Sequence, residues 1–131
     1  MKNITEKWMS LAKYDLESAE VMLKAEKYLY VAFMCQQSVE KHLKAYLTES
    51  HSSPPPYTHN LNVLAELTKI DFAESELELL SLLTRYYINA RYPGVKEKLS
   101  KTINKSIATN LFNNAKEIIR CLKKELKMLT R

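Results

Sequence analysis

The chain has 131 residues, of which 46% are hydrophobic and a single one is glycine. This length suffices for one domain with its own hydrophobic core, and the scarcity of glycine together with abundant Leu, Lys, Glu and Ala favours helices throughout. The formal net charge of +5 is unevenly spread, since residues 1–93 carry ten basic against twelve acidic side chains and residues 94–131 carry ten against three. The basic segment is either a solvated lysine face or a surface for phosphates or an acidic partner.

Several classes of protein are disfavoured by the same composition. The longest apolar run, Tyr28 to Cys35, is far too short to cross a bilayer, and no apolar leader segment opens the chain. We therefore expect a cytoplasmic protein with no membrane partner. Cys35 and Cys121 form no C-x-x-C pair, so both are expected to be reduced and buried. No metal set and no glycine-rich phosphate loop is present, and we expect neither a metal nor a cofactor.

The first helix is predicted from about Thr5 to Lys27, where apolar residues recur at steps of three and four. Asp15 lies on that apolar face, four residues after Leu11 and four before Ala19. A carboxylate on a buried face needs a cation or several hydrogen-bond donors. We expect a basic side chain to meet Asp15.

The second helix is predicted from about Tyr28 to Glu49. Polar residues stand at helical spacing between its apolar ones, and Glu40 and Lys44 are four residues apart with the acid on the N-terminal side. Such a pair is either an exposed surface ion pair or part of a functional groove.

A proline-rich loop at about residues 50–58 separates this helix from a short third one, which either Thr58 or Asn60 caps. Asp71 and Glu74 form a D-x-x-E pattern that opens a fourth helix.

The segment "NARYPG", residues 89–94, ends the fourth helix. Arg91 is placed on the inward side of the last turn, and Pro93 and Gly94 are expected to lead the chain out of the helix. The helix dipole alone would accept a lysine here, so an arginine suggests a planar partner that accepts several hydrogen bonds, such as a carboxylate or a phosphate. The internal candidates are Asp15 and Glu40, and the external one is a nucleotide or RNA phosphate.

A fifth helix is predicted from about Thr102 to Leu129. The complete pattern is that of an all-α protein, an antiparallel up-and-down bundle of four long helices plus one short helix, forming a single domain over residues 1–131.

Five motifs in this order resemble the HEPN domain family, over roughly residues 5 to 125. They are "WMSLAKYDLESA" in the first helix, "YLYVAFMCQQSVEKHLKAYL" in the second, the proline loop, "HNLNVL" and "YYINARYPG". The resemblance implies a helical bundle that usually forms a symmetric homodimer. It also implies one of two functions. The domain is either a metal-independent ribonuclease or a non-catalytic domain that binds a nucleotide or a partner protein. Domains of the second kind are often encoded beside a minimal nucleotidyltransferase in toxin and antitoxin-like pairs.

The family's ribonucleases carry an arginine followed four to six residues later by a histidine, and the arginine falls on Arg91. All three histidines, His42, His51 and His59, precede the first arginine, so the partner histidine is absent. Attack by a 2′-hydroxyl needs a group that accepts its proton, usually a histidine near neutral pH. His59 either braces its loop or approaches Arg91 in space and replaces the missing partner.

The preferred hypothesis is accordingly a non-catalytic module that acts with a minimal nucleotidyltransferase. Its nucleotide or partner site would contain Arg91, Tyr92, Lys44, Glu40, His59 and Asp15. The alternatives are a ribonuclease whose rearranged site uses Arg91 and His59, and an internal ion network of Arg91, Asp15 and Glu40 that only fixes the helices.

Overall fold

The computed structural model describes residues 1–131 as six helices joined by short turns and one longer loop. They are α1 (Asn3–Lys24), α2 (Tyr28–Ser50), α3 (Leu61–Thr68), α4 (Glu74–Asn89), α5 (Pro93–Thr102) and α6 (Lys105–Leu129). The predicted all-α fold is confirmed, with four long helices and the proline-rich loop between α2 and α3.

Helix α5 was not predicted. Pro93 and Gly94 were expected to lead the chain out of a helix, yet Pro93 is the first residue of α5. Proline fits that position because its fixed φ is helical and its missing N–H would have had no partner there. The structure therefore contains two short helices instead of one.

Side-chain caps set several of the helix starts. Asn60 accepts hydrogen bonds from the backbone N–H groups of Asn62 and Val63, so it caps α3, whereas Thr58 does not. At α4 the backbone N–H of Ala73 donates to Glu76 Oε1 at 2.8 Å. The capping pattern predicted at Asp71 and Glu74 was therefore placed two residues too early.

Helix α2 is the centre of the bundle, because it alone packs against all five other helices. Its apolar residues form the middle of the core, with Val31, Val39 and Leu43 fully buried. A helix enclosed on all sides also buries its polar residues, and each of these needs a partner inside the protein.

The two N-terminal helices run antiparallel, and their ends are fastened by polar contacts. Glu49 Oε1 accepts hydrogen bonds from the backbone N–H of Lys2 at 3.0 Å and from Thr5 Oγ1 at 2.9 Å. The bond from the Lys2 backbone and the bond from Thr5 hold the pKa of Glu49 below its ordinary value. Lys2 Nζ in turn donates to the carbonyl oxygens of Thr48 and His51 at the end of α2.

The two cysteines differ in environment. Cys35 lies in the core, where burial raises the pKa of its thiol to about 12. Cys121 is on the exposed face of α6, so the expectation that both are buried was wrong for this residue. No helix has the length and apolar character that crossing a membrane requires.

His42 is a buried imidazole with one unsatisfied nitrogen. Its Nδ1 lies 2.8 Å from the carbonyl oxygen of Ser38 and donates to it, while Nε2 has no hydrogen-bond partner. Burial lowers the pKa of His42 to about 4, and the positive charge of Lys123 adds to this shift, against the opposing effect of the Ser38 carbonyl. The folded protein therefore holds this ring neutral.

This burial predicts a loss of stability in acid. Between the ordinary pKa of 6.5 and the folded value of about 4, the unfolded chain binds a proton on His42 that the folded chain does not. The free energy of unfolding should therefore fall as the pH is lowered through this window, by about 1.4 kcal/mol per unit from this group. Urea unfolding of wild type and His42→Leu at pH 7 and pH 4 checks this. The variant should lose clearly less stability than wild type, whereas exposed His51→Gln should behave as wild type does.

Candidate functional site

The side chain of Glu40 is the centre of a buried polar cluster on α2. Its Oε1 accepts hydrogen bonds from Gln36 Nε2 at 3.1 Å and from His59 Nδ1 at 2.8 Å, and its Oε2 accepts one from Lys44 Nζ at 3.1 Å. The side chains of Glu40 and Lys44 are only 4% and 8% exposed. Of the two interpretations of this pair, the exposed surface ion pair is therefore wrong.

The same cluster holds the loop before α3 against α2. Gln36 Nε2 also donates to the carbonyl oxygen of His59 at 3.0 Å, and Gln36 Oε1 accepts from Gln37 Nε2 at 2.7 Å. Gln36, Glu40 and Lys44 follow one another at steps of four, so they form one line along the helix. This polar line is the surface on which His59 is positioned.

His59 is oriented by a hydrogen bond at only one of its two ring nitrogens, Nδ1. Because Nδ1 lies against a carboxylate oxygen, which can only accept, Nδ1 carries a hydrogen and Nε2 is the free acceptor of the neutral ring. The side chain is 46% exposed, although its partner Glu40 is buried. This arrangement has the geometry of a histidine oriented by a buried acid.

The ring of Tyr87 joins His59 to Arg91. The His59 and Tyr87 ring centroids are 4.8 Å apart, and Arg91 Cζ lies 5.3 Å from the Tyr87 centroid. Phe33 of α2 packs against the same ring, also at 4.8 Å. Arg91 and His59, which are far apart in sequence, are thus brought to one aromatic ring. We call Glu40, Lys44, His59, Tyr87 and Arg91 the Arg91 cluster.

Arg91 is not in the last turn of a helix as predicted. Helix α4 ends at Asn89, and Arg91 lies in the following turn, where its side chain is exposed. It forms no ion pair with any carboxylate of the chain. Tyr92 is also exposed and precedes the first residue of α5.

Asp15 lies outside this cluster. Its carboxylate pairs with Lys41 of α2, which is the basic partner that the position of Asp15 requires. Glu40 is paired with Lys44 and His59. The internal network of Arg91, Asp15 and Glu40 is therefore not formed, and that alternative was wrong.

The structure also contains two cation–aromatic contacts that the sequence did not suggest. Lys44 Nζ lies 5.6 Å from the ring centroid of Trp8. Lys96 of α5 lies over the Tyr30 ring at 5.3 Å and donates to the Tyr30 hydroxyl at 3.0 Å. This hydrogen bond and the charge of Lys96 lower the pKa of Tyr30. Lys96 belongs to the basic segment 94–131, but its contact with Tyr30 could not be foreseen because it lies in the helix that was not predicted.

Together, the fold and the polar central helix define a small all-α domain with one exposed arginine beside an oriented histidine. The family model of the HEPN domain matches residues 5–126, and the chain belongs to this family. The structure places no three His, Cys, Asp or Glu side chains so that together they could hold a metal ion.

Two solved structures share the fold. TT1696 from Thermus thermophilus is 21% identical with a TM-score of 0.81, and the alignment covers 94% of this chain and 98% of that one. ST0689, described as an archaeal HEPN homologue, is 24% identical with a TM-score of 0.76, and the alignment covers 96% and 99% of the two chains. Comparison with curated proteins finds no match.

The buried ion pair predicts a large effect of a small substitution. Glu40→Gln keeps the shape of the side chain but leaves the Lys44 ammonium buried without a counter-charge, which should lower the free energy of unfolding by about 3 kcal/mol. The double variant Glu40→Gln, Lys44→Met should lose less than the single one, because it removes both charges. Urea unfolding measures both.

A matched control is Glu20→Gln, whose pair with Lys24 has the same spacing on the exposed face of α1. It should change stability little, since exposed pairs contribute little. Equal losses for Glu40→Gln and Glu20→Gln would show that burial of the Glu40 pair has no energetic weight.

Proposed function

We propose that this HEPN domain is a non-catalytic binding module that takes the phosphate of a nucleotide at Arg91. The observation that carries the proposal is that Arg91 is exposed and unpaired, while the two carboxylates that might have bound it are matched by other cations. An arginine that the fold does not use in an ion pair remains available for an external anion.

The surroundings of Arg91 fit a nucleotide. Tyr87 supports the guanidinium from one side, and Tyr92 offers an exposed ring on which a base can stack. The first N–H groups of α5, at Gly94 and Val95, follow Tyr92 and Pro93 and have no acceptor within their own helix. A phosphate near Arg91 would be within the favourable field of this helix start.

A minimal nucleotidyltransferase is part of the same proposal, as the partner with which the module acts in a toxin and antitoxin-like pair. It rests on the family to which the chain belongs, and the Arg91 cluster is the surface we assign to that contact. In this arrangement Glu40 and Lys44 hold the surface in place, and Arg91, Tyr92 and His59 make the contacts.

The first test is thermal unfolding with ATP, GTP and a short RNA, for wild type and Arg91→Ala. A ligand at about one hundred times its dissociation constant adds about 2.7 kcal/mol, which should raise the unfolding midpoint by several degrees. Wild type should shift with at least one ligand and Arg91→Ala should not.

Arg85→Ala is the matched control, because Arg85 is an exposed arginine of the same region and lies outside the cluster. It should retain the full shift. If Arg91→Ala keeps both the ligand shift and the binding of a co-expressed nucleotidyltransferase, Arg91 is not the site.

A second function is favoured by one specific observation, the contact of His59 Nδ1 with the buried Glu40. This contact leaves His59 Nε2 free to accept the proton of an RNA 2′-hydroxyl, and Arg91, which packs on the same Tyr87 ring, could bind the phosphate under attack. The arrangement would be a metal-independent ribonuclease in which His59 replaces the histidine missing after Arg91.

Cleavage of single-stranded RNA in the presence of EDTA tests this function. His59→Ala and Arg91→Ala should each lower the rate at least about a hundredfold, as expected when a general base or an anion-stabilising group is removed. His51→Ala, a histidine at the other end of the same loop, should cleave at the wild-type rate. An RNA that stays intact with wild-type protein leaves the binding module as the function.

A further inference from the structure

The loop between α2 and α3 presents three prolines and a tyrosine at the protein surface, and the Arg91 cluster makes no use of them. Tyr57 is 106% exposed, so the fold covers none of its surface. Pro54 and Pro56 are exposed as well, and Pro55 is half-buried. Single exposed apolar residues are common on proteins, but consecutive rings of this kind form an apolar patch. We call residues 54–57 the PPPY segment.

The backbone of the PPPY segment is extended and carries free hydrogen-bond acceptors. A proline excludes helical geometry for the residue before it, so consecutive prolines favour the polyproline II conformation, whose backbone groups are open to solvent. The carbonyl oxygens of Ser53, Pro54 and Pro55 accept no hydrogen bond from any group of the chain. Three acceptors therefore lie unpaired beside the proline rings.

Tyr57 lies at the tip of a tight turn that ends the segment. The backbone N–H of Thr58 donates to the carbonyl oxygen of Pro56 at 3.0 Å, which closes a three-residue turn around Tyr57. The turn holds the tyrosine at a fixed place after the prolines. Its ring is thus presented outward by the backbone and is not used for packing.

Both ends of the loop are fastened to the bundle. At one end Lys2 Nζ donates to the carbonyl oxygen of His51 at 2.9 Å, and at the other Gln36 Nε2 donates to the carbonyl oxygen of His59 at 3.0 Å. Between these anchors, the turn at Tyr57 is the one hydrogen bond formed by residues 52–57. A segment that is already extended and fixed at its ends loses little conformational freedom when a partner binds it.

A cavity beside the prolines gives a partner room to reach them. It has a volume of about 410 Å³, and its walls include Ile4 and Trp8 of α1 together with Pro54 and Pro55. Ile4 is half exposed, so this wall is open to the outside. Ligand pockets of proteins begin at about 300 Å³, so the cavity can take a large side chain of another protein.

We propose that the PPPY segment is a docking site for a partner protein whose binding groove is lined by aromatic side chains. Aromatic rings pack flat on proline rings, and the N–H or O–H groups of tryptophan and tyrosine can donate to the free carbonyl oxygens of the segment. Tyr57 would occupy a pocket of the partner, and one aromatic side chain of the partner would enter the cavity beside Trp8.

The test uses a WW domain that recognises Pro-Pro-x-Tyr as the probe, titrated with the folded protein in a calorimeter. Wild type should bind the probe, and Tyr57→Ala and Pro54→Ala should each weaken binding at least about tenfold. Tyr14→Ala is the matched control, since Tyr14 is a tyrosine on α1 that is 69% exposed. It should bind as wild type does. Because Tyr57 and Tyr14 are both exposed, both alanine variants should unfold at the wild-type midpoint.

A linear peptide of residues 51–59 separates the sequence of the loop from its setting in the fold. The folded protein should bind the probe at least as tightly as the peptide, because its loop is already extended and anchored. Weaker binding by the protein than by the peptide would show that the fold blocks the segment, and the proposal would be wrong.

Two further results would overturn the proposal. Wild-type protein that does not bind the probe, or Tyr57→Ala protein that binds it unchanged, would leave the PPPY segment as a rigid connector between α2 and α3. The nucleotide site is judged separately, because Tyr57→Ala retains Arg91 and should keep any unfolding shift that ATP or GTP gives with wild type.

Discussion

The rest of the structure depends on how the central helix satisfies Glu40. Helix α2 packs against every other helix, so a carboxylate there loses its water and must find donors within the protein. Lys44 supplies a counter-charge one turn away, Gln36 supplies a neutral donor, and His59 reaches in from the loop before α3. The buried charge of Glu40 therefore holds together the polar line of Gln36, Glu40 and Lys44 along α2, and it fixes the position of the loop before α3.

This arrangement decides which groups remain free for function. Because Lys44 and His59 satisfy Glu40, and Lys41 satisfies Asp15, the fold does not engage Arg91 in an ion pair. The same contact engages only one nitrogen of His59 and leaves the other without a hydrogen bond in a ring that packs beside Tyr87. A cluster that stabilises the bundle thus also presents a cation and a hydrogen-bond acceptor at its surface.

Most of the helices were predictable because each buries an apolar stripe at the helical period, and α2 was placed to within a residue. Helix α5 was not predictable in this way, because it buries no residue. It also begins with a proline, a residue that is equally typical of the position just after a helix. Most members of the candidate site had been proposed from the sequence. Arg91, Tyr92, Glu40, Lys44 and His59 were chosen from the family motifs and the polar line of α2. The connecting ring of Tyr87 was not among the predicted site residues.

The sequence by itself determined the all-α class, the family and the absence of a histidine after Arg91. These are properties of residue type and local spacing. Residue type is given by the sequence directly, and the spacing shows which residues share one face of a helix. Only the tertiary structure decided that the Glu40 and Lys44 pair is buried, that Asp15 belongs to Lys41, and that His59 and Arg91 meet on Tyr87. Each of these depends on which helices become neighbours, and the packing of the whole bundle around α2 sets that outcome.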